Sequence, residues 1–219
     1  MPNGRTAHRL GRILKLVFVS LVYGVCLLLL LRMCSAKTPK ELRGLDYNPT
    51  LATAYANAGD LTLCYQNGDS ITRAEPSKGY FAIPEYYYIP EANQVQLIFR
   101  YNNSTLKHVS DDYKIDPALT REGDWFDLSL VLAKQDGTSV RIQPAKIEKS
   151  LSKRLYVFYR ITFDGVVVDD TTTGLFADIY YKDDIDYEKS AYGTLCLYDP
   201  AEKWLTKKPT KSDVKSLTQ

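Results

Sequence analysis

The chain has 219 residues, of which 45% are hydrophobic and 25% are charged, and its formal net charge is +2. The charge is unevenly placed, because residues 1–36 contain no Asp or Glu whereas residues 37–199 carry 18 Lys and Arg against 24 Asp and Glu. This acidic body argues against a nucleic-acid-binding protein, which needs clustered Lys and Arg. The length beyond residue 36 is enough for one domain.

The first predicted element is a transmembrane helix over residues 16–33. A basic head, residues 1–15, precedes an unbroken apolar run that Arg32 closes. The run approaches the roughly 17–25 residues that a spanning helix needs, and Lys15 and Arg32 can lengthen it by placing their charges at the interface. Because basic residues stay on the cytoplasmic side, we predict a single-pass cell-membrane protein with a cytoplasmic N-terminus and an extracellular C-terminal domain.

A cleaved signal peptide is the alternative interpretation of this segment. Its apolar region is usually about 7–15 residues long and ends at small residues, and Cys34-Ser35-Ala36 could serve as the cleavage site. The run here is longer and Arg32 interrupts it before that site, so the sequence favours an anchor. Whether the segment is cleaved stays open.

Residues 34–60 are predicted to form a juxtamembrane stalk that contains a short helix. The run Leu51–Ala56 favours a helical turn, and Asn57-Ala58-Gly59-Asp60 ends it. From residue 61 the hydrophobic period changes to two, which is typical of strands with one buried face and one wet face.

Residues 61–199 are predicted to be a mostly β, antiparallel, immunoglobulin-like β-sandwich of seven to nine strands. X-Gly turns at Asn67-Gly68, Asp136-Gly137 and Asp164-Gly165 separate several of the strands. The longest loops are expected at 74–93 and 102–124, and residues 200–219 are expected to be a basic, disordered tail. The alternating runs lie at 61–66, 94–101, 126–132, 139–142, 155–163, 175–181 and 192–198, with a further short strand at 166–168.

Four segments, at 96–103, 163–166, 178–184 and 192–196, resemble uncharacterised single-pass envelope proteins of Gram-positive-type bacteria. The resemblance covers roughly residues 60–199. It implies an extracellular immunoglobulin-like domain and no characterised activity or site.

Cys64 and Cys196 both lie in a Thr-Leu-Cys frame on predicted strands. The first and last strands of a sandwich often approach each other, and an oxidising compartment permits a disulfide. A bridge would close a long loop and contribute about 3–5 kcal/mol. Two unpaired thiols on different strands fit the sequence equally well, because spacing does not show whether the Cα atoms come within bridging distance.

Tyr86, Tyr87 and Tyr88 are the candidate binding residues, since tyrosines combine a flat apolar face with a polar tip and serve sugar and protein recognition. The alternative is that alternate tyrosines pack an edge strand onto the core. Asp183–Glu188 is acidic but matches no complete Ca²⁺ loop, and the Asp169–Thr173 segment indicates a turn and cap.

Catalysis finds little support in the sequence. His108 is the one histidine outside the cytoplasmic head, and no Gly-rich phosphate loop, HExxH, CxxC or Gly-x-Ser-x-Gly motif is present. We therefore predict no catalytic residue, metal or cofactor. The leading hypothesis is a non-catalytic binding or assembly domain with an envelope protein or wall polymer as partner. The alternatives are a carbohydrate- or peptide-binding module that uses the tyrosine triplet and a carboxylate-based hydrolase.

Overall fold

The structure, a computed structural model, describes residues 4–66, 81–114, 125–150, 155–181 and 191–211. The chain divides into two compact units, Met1–Lys37 and Thr38–Gln219. The first unit contains helix α1, Gly4–Ser35. Within the described ranges it is the one helix long and apolar enough to cross a membrane; the candidate span begins at Ile13, and its apolar stretch has a mean hydropathy of 2.6. The predicted turn at 67–68 and the acidic segment 183–188 lie outside these ranges.

The second unit, here called the β unit, contains two antiparallel sheets and two further α-helices, α2 (Pro49–Ala58) and α3 (Asn103–Tyr113). The strands are β1 (Leu63–Tyr65), β2 (Phe81–Ile89), β3 (Gln94–Asn102), β4 (Phe126–Lys134), β5 (Ser139–Ile142), β6 (Lys146–Lys149), β7 (Tyr156–Asp164), β8 (Thr172–Tyr181), β9 (Gly193–Tyr198) and β10 (Leu205–Lys207). The six-stranded sheet has the order β10-β1-β2-β3-β7-β6, and the four-stranded sheet has the order β5-β4-β8-β9.

One apolar core joins the two sheets. Alternate residues of β3 and β7, such as Leu97, Phe99 and Ile161, share a buried cluster with alternate residues of β4 and β8, such as Leu130 and Ile179. The inner face of each strand is apolar because side chains point to opposite faces in turn. The prediction of a mostly β, antiparallel protein with an N-terminal apolar helix is thus confirmed.

Four predictions about individual segments are wrong. Residues 103–113, expected within a loop at 102–124, form α3. Residues 81–89, expected within a loop, form β2, which tolerates Pro84 where the register with β3 is irregular between Ala82 and Glu85. The expected strand at 166–168 is absent, although Gly165 adopts the positive φ of 75° that a turn needs. Residues 205–207, expected in a disordered tail, pair with β1 as β10. Ten strands are therefore described, against the predicted seven to nine.

Residues 38–58, here called the strap, lie on the outer face of the six-stranded sheet instead of forming a separate stalk, so the β unit begins at Thr38 and not at residue 61. Leu42 packs on Ile98 and Phe158. The apolar face of α2, with Leu51 and Ala54 buried, packs with a second group of apolar residues: Leu45, Leu61, Leu63, Ile89 and Ala92.

Local chemistry explains why the strap forms a helix at this point. The side chain of Asn48 accepts a hydrogen bond from the backbone N–H of Leu51 at 2.9 Å, and Pro49 occupies the first turn. Gly59 ends the helix at a positive φ of 72°, a conformation that glycine adopts without strain. These signals confirm the predicted helical turn over 51–56.

Candidate functional site

The tyrosine triplet lies on β2, between β1 and β3, instead of on a loop. Tyr86 and Tyr88 are 4% and 5% exposed and belong to the core between the sheets, whereas Tyr87 is half-buried and packs with the apolar cluster around α2. This follows from the alternation of side chains along a strand. Tyr86 and Tyr88 therefore act in packing, and the triplet presents only the ring of Tyr87 on the outer face of the sheet.

The hydroxyl group of Tyr86 connects the two sheets. It accepts a hydrogen bond from the backbone N–H of Gln66 at 2.8 Å and donates one to the backbone carbonyl of Leu197 on β9. Burial raises the pKa of Tyr86 to about 12, so the hydroxyl stays protonated at neutral pH. Its role is to hold β9 against the end of β1.

A lysine from β10 already contacts the exposed side of Tyr87. The Nζ atom of Lys207 lies 4.1 Å from the ring centroid of Tyr87 and 6.0 Å from that of Tyr65. Lys207 also donates a hydrogen bond to the Tyr87 hydroxyl, which in turn donates to Glu85 Oε1 at 2.7 Å. The chain's own C-terminal strand thus occupies the aromatic surface that the sequence suggested for a ligand.

Cys64 and Cys196 are free thiols, so the disulfide considered from the sequence is not formed in the structure. Cys64 enters the shared core, but on β9 Leu195 and Leu197 do so and Cys196 lies on the other face. The common Thr-Leu-Cys frame therefore has opposite orientations in the two strands. Burial raises the pKa of both thiols, which keeps them protonated and weakly nucleophilic at neutral pH. The Sγ of Cys196 donates to the carbonyl of Tyr198 at 3.4 Å.

The described residues contain no group of three or more His, Cys, Asp or Glu placed to hold a metal ion. Asp169 instead organises a turn by accepting hydrogen bonds from the backbone N–H of Thr171 at 3.0 Å and from the hydroxyl of Thr172 at 3.1 Å. This confirms the interpretation of that segment as a turn and cap. The nearby ammonium of Lys134, 2.8 Å from Asp169, lowers the pKa of the carboxyl group.

A polar cluster that the sequence did not single out lies on the outer face of the four-stranded sheet. Each of the four strands contributes to this outer cluster, whose members are Ser129, Arg141, Asp178, Tyr180 and Thr194. Arg141 Nη1 donates to the hydroxyls of Ser129 at 2.8 Å and Tyr180 at 2.6 Å. Tyr180 and Thr194 donate to the carboxylate of Asp178 at 3.2 and 2.8 Å. The arrangement fixes one cation and one anion side by side.

The outer cluster is partly open to solvent. The side chain of Arg141 is 30% exposed and that of Asp178 is 14% exposed, and their charged atoms lie 3.6 Å apart. Burial raises the pKa of Tyr180, so its hydroxyl remains a donor. Phe176 is half-buried on the same face of the sheet. Such a surface can offer hydrogen bonds and stacking to a partner.

The same geometry is poorly suited to nucleophilic catalysis. Ser129 accepts a hydrogen bond from Arg141, and a cation does not take a proton from a hydroxyl group as a general base would. His108, which a Ser-His-Asp arrangement would require, lies on α3. Among the described residues, Asp46 is the one buried carboxylate, and it belongs to the strap, where it faces the six-stranded sheet.

Register explains why the sequence did not reveal the outer cluster. Alternation places Ser129, Asp178 and Thr194 on outward faces, but their proximity requires the pairings of Ser129 with Asp178 and of Asp178 with Thr194. Arg141, on the edge strand β5, joins them because it pairs with Val131 of β4. No local motif encodes the pairing of strands that are distant in sequence.

A second polar cluster lies on the other sheet, where the strap covers it. The backbone N–H of Asp46 donates to Gln96 Oε1 at 2.7 Å, and Gln96 Nε2 donates back to the carbonyl of Asp46 at 3.1 Å. The carboxylate of Asp46 lies 2.7 Å from Lys146 Nζ and 3.7 Å from the guanidinium of Arg160. A single side-chain amide thus holds both backbone groups of one strap residue.

Glu148 is the second anion beneath the strap, and it pairs with both cations. It lies 2.7 Å from Lys146 and accepts a hydrogen bond from Arg160 Nε at 2.8 Å. Burial alone raises the pKa of Glu148, but the hydrogen bonds from Lys146 and Arg160 outweigh burial and hold it below its usual value. The sheet therefore keeps these two cations paired without Asp46.

Comparison with known proteins gives no match: no family model, no curated protein and no solved structure resembles this chain closely enough to count as one. The function must therefore be inferred from the geometry of the chain itself. The outer cluster is the candidate site, because its two charged side chains are held by hydrogen bonds within the sheet and are partly exposed.

Proposed function

We propose that this protein is a membrane-anchored, non-catalytic binding or assembly domain of the cell envelope. Helix α1 spans the cell membrane once with its N-terminus in the cytoplasm, and the β unit, an immunoglobulin-like sandwich, lies outside the cell. The partner is an envelope protein or a wall polymer that contacts the outer face of the four-stranded sheet.

The charge distribution of the chain supports the membrane assignment. Residues 1–15 carry four basic residues and no acidic ones before the apolar stretch, and basic residues favour the cytoplasmic side. The apolar side chains of α1 from Leu14 to Leu31 are largely exposed, Leu14 and Leu28 for example being 72% and 67% exposed. A helix of this length with an apolar surface is stable where lipid covers it.

The short link between the two units supports a role at the membrane surface. The first unit ends at Lys37, two residues after α1, and the β unit follows directly at Thr38. With α1 in a membrane, a partner of the β unit is then a component of the same membrane or of the adjacent wall.

The observation that carries the proposal is the outer cluster. Arg141, Asp178 and Tyr180 are held in fixed geometry by neighbouring strands, yet the two charged side chains keep exposed surface. A fixed guanidinium next to a carboxylate and aromatic rings suits recognition, because little side-chain entropy is lost on binding.

Site-specific photocrosslinking in the native membrane tests this proposal. A photoreactive amino acid replaces Thr194, within the outer cluster, or Thr53, an exposed residue of α2 on the other sheet, in the full-length protein. We expect one dominant envelope partner, protein or glycan, to crosslink through position 194 and to be lost from the matched Arg141→Gln variant. Equal crosslinking from both positions, or none from position 194, would contradict the proposal.

A further inference from the structure

One aromatic side chain on the outer face of the four-stranded sheet lies along the sheet instead of projecting from it. A Cβ atom at Gly174, two residues earlier in β8, would lie 2.6 Å from Cε2 and 2.8 Å from Cζ of Phe176. Since Cζ is the tip of the ring, Phe176 covers the backbone at Gly174. A side chain at position 174 would displace the ring, so the glycine keeps the ring low on the sheet.

Strand pairing places this ring beside the outer cluster. Phe176 pairs with Val131 of β4, which pairs in turn with Arg141 of β5. Asp178 follows Phe176 by two residues on the same face of β8, which places its Cα atom about 7 Å farther along the strand. Phe176 is half-buried and so keeps exposed surface. An apolar ring and a fixed set of hydrogen-bonding atoms are therefore neighbours on one face of the sheet.

The two charges of the outer cluster offset each other. The guanidinium of Arg141 lies 3.6 Å from the carboxylate of Asp178, so the pair as a whole is neutral. A ligand with a net charge gains little from such a pair, because the attraction by one member is opposed by repulsion from the other. The geometry therefore favours a neutral ligand.

The carboxylate of Asp178 is suited to receive hydroxyl groups. An ionised carboxylate has about four acceptor positions. Among the described residues, the hydroxyls of Thr194 and Tyr180 donate to Asp178, at 2.8 and 3.2 Å, and its side chain is 14% exposed. These bonds fix the orientation of the carboxylate and leave it acceptor capacity for hydroxyl groups of a ligand.

The size of the apolar surface favours a small, flat ligand unit. Of the outward strand residues that the structure describes on this sheet, Tyr180 is only 3% exposed, so Phe176 supplies the accessible aromatic ring. The neighbouring row of the sheet consists of the small residues Gly174, Ala133 and Ser139. Protein partners are usually held by several large anchors in pockets, whereas the C–H bonds on one side of a sugar ring form an apolar surface that one aromatic ring can cover.

We propose that the ligand of the outer cluster is a neutral glycan of the cell envelope, one sugar ring of which packs on Phe176 while its hydroxyl groups donate to Asp178. This assignment rests on the proposed function, because it names the partner of the same surface. It selects the wall polymer over the envelope protein, and it gives Gly174 the role of holding the ring of Phe176 in place.

Titration calorimetry of the full-length protein in detergent micelles tests the assignment. The probes are soluble neutral fragments of the envelope glycan from the native cell and the same fragments after chemical O-acetylation, which removes their hydroxyl donors. We expect the untreated fragments to bind with a Kd that changes less than about twofold between roughly 0.05 and 0.5 M salt, since the ligand carries no charge. Acetylation should weaken binding about tenfold or more. No binding of the untreated fragments, a strong salt dependence, or equal binding after acetylation would overturn the proposal.

Substitutions on β8 test the contact with the ring. Phe176→Leu removes the ring but keeps an apolar side chain, and Gly174→Ala displaces the ring; neither residue is a member of the outer cluster. We expect each to raise the Kd of the untreated fragments about fivefold or more, while the thermal midpoint shows that the protein remains folded. Wild-type affinity in both variants would overturn the proposal.

Two matched controls lie away from this face. Tyr47→Ala removes an aromatic side chain of the strap that is 48% exposed, and Gly24→Ala adds a Cβ atom in α1 where no atom lies within 4 Å. We expect both controls to bind the fragments with wild-type affinity. A loss in the controls equal to that in the β8 variants would overturn the proposal, because binding would then not depend on this ring.

Photocrosslinking through position 194 separates failure of this assignment from failure of the proposed function. A protein partner that crosslinks there and is lost in Arg141→Gln would overturn the glycan and leave the proposed function intact. Absence of any crosslink through position 194 would overturn both. A glycan partner that is also lost in Gly174→Ala would support both.

Discussion

The outer faces of the two sheets have similar outward residues but different surroundings. On the six-stranded sheet, Gln94 and Gln96 point outward from β3 yet are 0% and 4% exposed, because the strap covers them. On the four-stranded sheet, Arg141 and Asp178 point outward and remain partly exposed. The comparison shows that alternation identifies the two faces of a strand without saying whether the outer face is wet.

The difference distinguishes polar groups that hold parts of the chain together from polar groups that remain available to a partner. Beneath the strap, the side-chain amides and charged groups of the sheet already bind residues of the strap, so they determine where the strap packs. In the outer cluster, the hydrogen bonds join residues of the sheet to each other and fix side chains that a partner can still reach. This contrast is why we place the binding surface on the four-stranded sheet.

The largest expected effect compares apolar residues from the two outer faces. Leu51→Ala, on the buried face of α2 that covers the six-stranded sheet, should lower the free energy of unfolding by about 3 kcal/mol, because it leaves a cavity at a fully buried site. Val131→Ala, on the half-buried outer face of β4, should cost less than about 1 kcal/mol. Urea denaturation of the full-length protein measures both values. Equal losses would contradict the difference between the covered and the open face.

A smaller effect compares two members of the tyrosine triplet. Tyr86→Phe should lower stability by about 1–2 kcal/mol, since the buried N–H of Gln66 and the carbonyl of Leu197 lose their shared partner. Tyr87→Phe, on the outer face, should cost at most about 0.5 kcal/mol. Thermal unfolding of the two variants distinguishes them. A larger loss of stability in Tyr87→Phe than in Tyr86→Phe would contradict the assignment of the structural hydrogen bonds to Tyr86.

A third prediction concerns acid conditions and the ion pairs beneath the strap. The pKa of Glu148 is held below its usual value of 4.5. A carboxyl group whose pKa is lowered on folding stabilises the folded state at pH values above its unfolded pKa. This stabilisation is lost as the pH falls through the folded pKa. Wild-type stability should therefore fall more steeply below about pH 4.5 than that of Glu148→Gln. Urea midpoints that fall equally in the two proteins across this pH range would contradict the pairing of Glu148 with Lys146 and Arg160.

The smallest expected effect is that of a reductant. Cys64 lies in the core and Cys196 on the outer face of the other sheet, and both are free. Adding a reductant should leave the thermal midpoint unchanged, and alkylation in denaturant without a reductant should label both thiols. Protection of these cysteines from alkylation, together with a midpoint that falls on reduction, would instead indicate a disulfide, which would contribute about 3–5 kcal/mol.

Several elements of the fold can be predicted from local sequence patterns. Asp136-Gly137 predicts the turn between β4 and β5, where Gly137 has a φ of 81°. The alternation of Val95, Leu97 and Phe99 predicts β3 and its core face. These predictions are correct because turn chemistry and side-chain period act within a few residues.

Other elements could not be predicted because their stability depends on distant residues. Strand β2 contains Pro84 and a tyrosine triplet without polar alternation, and it forms because β1 and β3 pair on either side of it. The three exposed residues of β10 have no strand signal of their own and pair with β1. The outer cluster likewise depends on the register of four strands.

The sequence by itself determined the apolar N-terminal helix, the β character of the rest and the inner face of most strands, since each depends on composition or short-range period. Only the tertiary structure decided that Gln94 and Gln96 are buried, that Cys64 and Cys196 face different environments, and that the strap belongs to the β unit. Burial of an outer face and proximity of side chains are set by long-range packing, which no local pattern encodes.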